Sequence, residues 1–206
     1  MNVRLEKVGK KFNTDWIFRD IDFTFSENTV SAILGRNGSG KSTLLQLIAG
    51  NMHPTTGRVI HLSGETEIPG DQVFRQITLV APYMELIEDF TLSEMLRFHF
   101  SFKSFLPGFN MQGVTEVLDL DYALSRQIRQ FSSGMKQRVK LALAILSDSR
   151  LLLLDEPVMN LDKTGIGWYH DLIQGFSTNR TVIICSNQHQ TESAFAGNVL
   201  QIEKYK

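Results

Sequence analysis

The chain has 206 residues and a mass of 23.4 kDa, a length that predicts one domain with a substantial hydrophobic core. Because 21 basic residues balance 22 acidic ones, the net charge is −1, and no overall electrostatic field favours nucleic acid or acidic lipid. The single cysteine, Cys185, excludes an internal disulfide and suits a reducing compartment.

The sequence lacks the apolar stretches that targeting or membrane insertion needs. Charged Arg4, Glu6 and Lys7 stand where a signal peptide carries apolar residues. The longest apolar runs, 141–146 and 151–154, are far shorter than the roughly 18 residues of a membrane span. We therefore expect a cytoplasmic chain that reaches a membrane only through a partner.

Apolar runs and helical patterns alternate along the chain. The predicted strands are 30–34, 58–62, 77–80, 151–154, 181–185 and 199–202. A helical pattern over 44–49 is closed by Gly50, and a helix-rich stretch runs from about Thr91 to Leu146. Near-continuous apolar strands between helices indicate an α/β fold whose parallel sheet is covered on both faces.

Phenylalanines are concentrated in the helix-rich stretch. The spacing of Met95, Phe98, Phe102, Phe105 and Phe109 predicts one face of a helix that breaks near Pro107. One interpretation places these rings in the core of a helical insertion. The other exposes some of them as a docking patch for another protein.

A phosphate-binding loop is predicted between the first apolar strand and the helix that follows it. The segment 35–43, GRNGSGKST, fits the pattern G-x-x-x-x-G-K-[ST]. The glycines allow backbone N–H groups to approach phosphate oxygens, and the helix amino terminus adds its positive end. Lys41 is expected to reach the β- and γ-phosphates, and the Ser42 hydroxyl to bind Mg²⁺. The candidate nucleotide-binding residues of this loop are Gly35, Asn37, Gly38, Ser39, Gly40, Lys41, Ser42 and Thr43.

Two carboxylates follow the leucine-rich strand at 151–154. Asp155 and Glu156 stand at the carboxyl end of that strand, where open α/β sheets bind ligands. Asp155 is suited to hold Mg²⁺ through water, and Glu156 to polarise an attacking water as general base. Alone, the pair could be two solvated acids, but beside a phosphate-binding loop it indicates a nucleotide-hydrolysing site.

A third segment, 131–138 with the sequence FSSGMKQR, resembles the L-S-G-G-Q signature of the ABC ATPases in a variant form. Asn160-Leu161-Asp162 resembles their D-loop. With the phosphate-binding loop and the acidic strand end in the same order, the resemblance covers essentially the whole chain. It implies a P-loop NTPase fold with a mostly parallel central sheet, an N-terminal antiparallel β part and an inserted helical subdomain.

The resemblance also implies how the site is completed. Two nucleotide-binding domains assemble head to tail as a homodimer or heterodimer, and each ATP lies between one P-loop and the partner's signature. Ser132 and Gly134 then contact the γ-phosphate bound by the other subunit, and Asp162 bridges the two sites. Phe12 occupies the place of an aromatic that stacks on adenine, although a buried strand aromatic is the competing interpretation.

The same resemblance implies an organisation and a location. Residues 1–206 form a single ABC ATPase domain, with a nucleotide-binding core over about 1–82 and 149–206 and a helical subdomain over about 83–148. The helical subdomain receives integral membrane permease subunits, which hold the chain at the inner face of the cell membrane. Nucleic acid is not an expected partner.

Two positions depart from the family pattern. Pro82 stands where the family has a glutamine that senses Mg²⁺, and Asn187 stands at the switch-histidine position. An amide can hydrogen-bond phosphate but cannot carry a proton or a positive charge. His189 is an alternative source of an imidazole. Because Glu156 is present, we expect slow, Mg²⁺-dependent ATP hydrolysis, with Glu156, Lys41 and Asn187 as the catalytic residues.

The predicted function is therefore the ATP-hydrolysing subunit of an ABC transporter, with export as the direction. A soluble ABC protein acting on ribosomes or DNA is an alternative, which the single compact domain and the near-zero charge oppose. A binding-only regulatory subunit is another, suggested by Pro82 and Asn187. The transported substrate is not encoded in these residues.

Overall fold

The computed structural model describes residues 1–187 and 189–206, without the side chains of His189 and Gln190. Its strands within these residues form an antiparallel sheet and a parallel sheet. The predicted α/β class, with a parallel sheet, an antiparallel N-terminal part and a helical insertion, is confirmed.

The antiparallel sheet has the strand order β2-β1-β4-β5. Strands β1 (Asn2–Phe12) and β2 (Asp15–Phe25) form a hairpin closed at Phe12 and Asp15, and the left-handed φ of 52° at Asn13 suits such a tight turn. Two further strands complete the sheet, β4 (Thr56–Ser63) and β5 (Thr66–Glu67). The sheet places Phe12 at the end of β1, beside the turn.

The parallel sheet has the order β6-β7-β8-β3-β9. Its strands are β3 (Val30–Leu34), β6 (Ile77–Val80), β7 (Leu151–Asp155), β8 (Thr181–Ser186) and β9 (Asn198–Gln201). Because all these strands run in the same direction, the loops after β3, β6, β7 and β8 emerge at one edge. The functional motifs of the sequence lie on these loops.

Both faces of the parallel sheet are buried, which explains the uninterrupted apolar runs. Alternate residues of β7 point to opposite sides: Leu151 and Leu153 pack with α1 (Lys41–Ile48) and the antiparallel sheet, whereas Leu152 and Leu154 pack with α5 (Ser133–Ile145) and α6 (Lys163–Phe176). The short helices α2 (Gly70–Val73) and α7 (His189–Glu192) lie in the connections before β6 and after β8.

A separate apolar cluster holds the helix-rich stretch together. Buried residues of α3 (Leu92–Phe100), α4 (Met111–Leu118) and α5 meet there, including Leu96, Val114 and Val139. Helix α3 begins with a capping box, in which Thr91 and Glu94 bond each other's backbone N–H groups. No helix in the described part of the chain is both long and apolar enough to span a membrane.

The prediction of one helical face from Met95 to Phe109 was wrong. Helix α3 ends at Phe100, and the Phe102 and Lys103 N–H groups both donate to the His99 carbonyl, at 3.1 and 3.2 Å, which closes the last turn. The non-helical residues end at Asn110, which caps α4 through a bond from the Gly113 N–H. As a result, Phe105 packs against the apolar cluster, while Phe98 and Phe102 are 43% and 75% exposed.

Candidate functional site

The phosphate-binding loop joins β3 to α1 and has the shape that its glycines permit. Gly38 and Gly40 have φ values of 76° and 101°, which disfavour residues with a side chain. A Cβ atom at Gly40 would lie 2.5 Å from Cγ2 of Ile17. Backbone and packing therefore both require glycine at position 40, directly before the first residue of α1.

Lys41 is held inside this loop. Its ammonium donates to the carbonyl oxygens of Gly35 at 2.9 Å and Arg36 at 3.2 Å, and the residue is 4% exposed. A charged side chain is buried in this way only where partners compensate its lost hydration. The loop thus fixes a positive charge at the amino end of α1, where backbone N–H groups already favour an anion.

Asp155 ends β7 as a buried carboxylate that is 2% exposed. Its Oδ1 has no hydrogen-bond partner among the residues that the structure describes. Burial raises the pKa of Asp155, the charge of Glu156 adds to that shift, and the Ser42 hydroxyl and Lys41 ammonium oppose it. A buried oxygen left free beside a hydroxyl fits a hydrated Mg²⁺ ion, which prefers carboxylate and water ligands.

Glu156 follows in a conformation that is uncommon for a residue with a side chain. Its φ is 46°, and its backbone N–H donates to the Cys185 carbonyl at 3.0 Å, which anchors the turn to β8. Strained backbone of this kind is concentrated at functional sites. Glu156 lines a cavity of about 220 Å³ with Ile17 and with residues of the phosphate-binding loop, namely Asn37, Gly38, Gly40, Lys41, Ser42 and Thr43.

Asn187 approaches the same loop from the end of β8. Its Nδ2 donates to the side-chain oxygen of Asn37 at 2.7 Å, and both residues line a cleft with Gly35 and Ser186. An uncharged amide pair therefore bridges the switch position and the loop. The side chain of His189, the alternative imidazole, lies outside the part of the chain that the structure describes.

Pro82 does not line the cavity around Lys41. The Met84 N–H donates to the Ala81 carbonyl at 3.1 Å, which closes a turn with Pro82 at its second position, where proline is favoured. Pro82 lines a different cleft, with Glu88, Ser133 and Lys136. The structure thus places Pro82 beside the signature helix.

The signature segment forms the start of α5. Ser132 is the N-cap and accepts from the Met135 N–H at 3.2 Å, while Ser132 and Ser133 are exposed. A Cβ at Gly134 would lie 3.0 Å from the Asn160 carbonyl oxygen, so the D-loop packs closely against this turn. Ser132 and Gly134 do not line the cavity around Lys41.

The other two candidate residues, Asp162 and Phe12, lie at a helix cap and on an exposed strand end. The Asp162 carboxylate caps α6 by accepting from the Gly165 N–H at 2.8 Å. Phe12 is 45% exposed, with the Lys10 ammonium 5.2 Å from its ring centroid. The interpretation of Phe12 as a buried strand aromatic is therefore wrong, and adenine stacking stays a prediction.

Some residues of the site gave no signal in the sequence. Ile17 of β2 packs under Gly40 and lines the cavity. Glu203 accepts from the Arg36 backbone N–H and guanidinium Nε at 3.2 and 2.9 Å, so the C-terminal segment tethers the loop, and these bonds from Arg36 lower the pKa of Glu203. Both contacts join distant parts of the chain and follow no local pattern.

Comparison with known proteins identifies the family. The family model described as ABC transporter matches residues 18–159. The chain belongs to the ABC transporter family. The variant signature at 131–138 and the assignment of Pro82 and Asn187 to the glutamine and switch-histidine positions stay predictions.

The relatives of this ABC chain include proteins of very different length. An uncharacterised ABC transporter ATP-binding protein of Bacillus subtilis, YybJ, is 29% identical over 91% of the chain and 86% of its own length. The human retinal-specific phospholipid-transporting ATPase ABCA4 is 27% identical over 88% of the chain, which spans 8% of ABCA4. The sulfate/thiosulfate import ATP-binding protein CysA of Thermosynechococcus vestitus is 33% identical over 79% of the chain and 49% of its own length.

Solved structures support the fold. An ATP-binding subunit of an ABC transporter matches with a TM-score of 0.82 and 21% identity, over 98% of this chain and 87% of the subunit's own length. A dimeric bacterial ABC transporter cassette matches with a TM-score of 0.79 and 21% identity, over 98% of this chain and 95% of the cassette. At this identity the likeness concerns the backbone architecture.

Proposed function

We propose that this chain is the ATP-binding and ATP-hydrolysing subunit of an ABC exporter, working with separate membrane subunits. The observation that carries the proposal is the cavity in which the phosphate-binding loop meets Glu156, together with the Asp155 carboxylate oxygen that has no hydrogen-bond partner among the described residues. A cation, a candidate metal ligand and a candidate base converge there, as phosphoryl transfer to water requires.

The loop residues bind and orient the triphosphate of ATP. Backbone N–H groups of Gly38, Gly40 and their neighbours donate to phosphate oxygens. Lys41 exchanges its carbonyl partners for the β- and γ-phosphates, because charge-assisted bonds are stronger. Ser42 and Asp155 hold Mg²⁺, which when bound neutralises developing phosphate charge. The exposed ring of Phe12 stacks on adenine.

Glu156 orients water for attack on the γ-phosphate and accepts its proton. Asn187 donates a hydrogen bond toward the same phosphate after leaving Asn37. Because Asn187 stays neutral, it supplies less stabilisation of the transferring charge than an imidazolium would. We therefore propose slow hydrolysis that depends on Mg²⁺.

A second chain completes the site. Ser132 and Gly134 lie outside the Lys41 cavity of their own chain, on an exposed helix amino terminus that suits an anion. In a head-to-tail dimer, they face the γ-phosphate bound by the partner, and Asp162 bridges the two sites. ATP binding closes this dimer and hydrolysis reopens it, whether the partner is a second copy or another ABC ATPase subunit.

The helical part, about residues 83–148, receives the membrane subunits. Phe98 and Phe102, whose ring centroids lie 5.2 Å apart, form an exposed aromatic pair on it, and such surfaces mark contacts with other proteins. We place the chain in the cytoplasm, attached through its permease partner to the inner face of the membrane, with no nucleic acid partner. The nucleotide-binding core then comprises about 1–82 and 149–206 of a single ABC ATPase domain.

Export is the proposed direction. The names of the relatives do not decide it, because ABCA4 is named as a phospholipid-transporting ATPase and CysA as an import protein. The test is ATP-dependent movement of cargo in inverted membrane vesicles that contain the chain and its permease. Accumulation of cargo inside such vesicles supports export, whereas loss of preloaded cargo supports import.

The hydrolysis proposal is tested by steady-state phosphate release from ATP with and without Mg²⁺. We expect slow turnover that Glu156→Gln abolishes, while ATP affinity is retained and an ATP-bound dimer accumulates. Glu65→Gln, at an exposed hairpin residue, is the matched control and keeps full activity. ATP binding without turnover in the unaltered chain, alone and with permease, would instead identify a binding-only subunit.

A further inference from the structure

Residues 81–90, the segment that follows β6, are bonded to α5, whose first turn carries the signature residues. The Lys140 ammonium donates to the Met84 carbonyl at 3.2 Å, and the Lys136 ammonium lies 2.5 Å from Oε1 of Glu88. Lys136 and Lys140 are one helical turn apart on α5, so both cations face the segment. The segment and the helix are therefore bonded through side chains that project from the same side of α5.

Two acidic and two basic side chains lie between residues 81–90 and α5. Glu85 and Glu88 line a cleft of about 180 Å³ together with Lys136 and Lys140. Burial lowers the pKa of Lys140, and the negative charge of Glu85 opposes that shift. We call Glu85, Glu88, Lys136 and Lys140 the Glu–Lys clasp. Ser133 and Pro82 line the same cleft, so the clasp lies beside the first turn of α5.

Backbone bonds make the connection stiff. The Arg129 N–H donates to the Glu88 carbonyl at 3.0 Å, and the Ile128 N–H donates to the Phe90 carbonyl at 2.8 Å. Residues 128–131 lead directly into the N-cap Ser132. These two bonds tie residues 88–90 to the residues that lead into the amino terminus of α5.

We propose that the Glu–Lys clasp transmits movement of residues 81–90 to α5, and so to the ATP held between two chains. This inference rests on the proposed head-to-tail dimer. Pro82 has neither a side-chain amide nor a backbone N–H, so position 82 cannot provide the hydrogen bonds of a glutamine. Glu88 and Lys136 are positioning residues, because they act through Ser132 and Gly134.

The experiment uses the full chain with Glu156→Gln, in which ATP is not consumed. Two constants are measured: the dissociation constant of the ATP-bound dimer, by analytical ultracentrifugation, and the ATP affinity of the dilute monomer. We expect Glu88→Gln to weaken the dimer about three- to tenfold while monomer affinity for ATP is unchanged. In a double-mutant cycle, Glu88→Gln should weaken the dimer much less when Lys136→Gln is already present, because the ion pair is then already broken.

Glu67→Gln is the matched control. Glu67 of β5 pairs with Arg58 of β4 at 3.4 Å, so the variant loses an exposed ion pair that involves neither residues 81–90 nor α5. An unchanged dimer constant in Glu88→Gln, or an equal loss in Glu67→Gln, overturns the clasp. A Glu156→Gln parent that binds ATP but stays monomeric overturns the proposed dimer itself, and the clasp with it.

Discussion

The amino termini of α1 and α5 both present backbone N–H groups to an anion, but their surroundings differ. At α1, Lys41 is 4% exposed and a buried carboxylate lies nearby. At α5, Ser132 caps an exposed helix end and does not line the cavity around Lys41. The comparison supports our proposal that the first end binds a phosphate alone, whereas the second meets one delivered by another chain.

The largest effect is expected at the first of these ends, from Lys41→Ala. The ammonium is the buried cation of the phosphate site, so its removal should weaken ATP affinity by about 10- to 100-fold and turnover by at least about 100-fold. Titration with a fluorescent ATP analogue and phosphate release measure the two losses. Lys204→Ala removes an exposed lysine and should change neither; near-normal ATP binding by Lys41→Ala would contradict the assigned role.

At the second end, Ser133→Glu should separate binding from turnover. A carboxylate in the first turn of α5 favours the helix but repels a γ-phosphate brought by a partner. We expect unchanged ATP affinity in the monomer, an undiminished melting temperature and about 10- to 100-fold slower turnover. Ser133→Gln, which lacks the charge, serves as control, and full turnover in Ser133→Glu would show that no phosphate approaches this helix end.

Phe12→Ala tests recognition of the adenine ring of ATP, whereas Lys41→Ala tests recognition of its phosphates. Loss of stacking should weaken ATP affinity about three- to tenfold. Competition by inorganic triphosphate, which has no base, should be unaffected. Phe102→Ala removes another exposed ring and should leave both constants unchanged. An equal loss of triphosphate affinity in Phe12→Ala would mean that the ring supports the loop and does not stack.

The smallest expected change is a gain from Asn187→His. An imidazolium makes a stronger bond to phosphate than an amide, so turnover should rise about two- to fivefold. The gain should fade as the pH rises through about 6.5, because the ring loses its charge. Phosphate release between pH 6 and 8, roughly the range over which histidine titrates, measures both effects. An unchanged rate would indicate that another group, such as His189, already supplies the interaction.

Local sequence patterns predicted much of the α1 half of the site. The loop glycines, Lys41 and the acids after β7 lie within short segments, and their backbone requirements can be recognised from neighbouring residues alone. The parallel strands were equally readable, because burial on both faces leaves uninterrupted apolar runs in β7 and β8.

Contacts between distant segments were not predictable in this way. Glu88 and Lys136 are 48 positions apart, and Arg36 and Glu203 are 167 apart, so only the folded chain pairs them. The prediction of a helix that continues through Phe102 was wrong for a related reason. A periodic spacing of rings does not reveal that α3 ends at Phe100 and that its last turn closes on the His99 carbonyl.

The central claim, that each ATP is shared by α1 of one chain and α5 of another, is tested most directly by mixing two impaired variants. Lys41→Ala retains a normal α5 end, and Ser133→Glu retains a normal phosphate-binding loop. In a head-to-tail dimer of the two, one site combines both intact halves. We predict that the mixture has more ATPase activity than the sum of the two variants measured alone. A mixture no more active than that sum, although both variants are folded, would contradict the shared site.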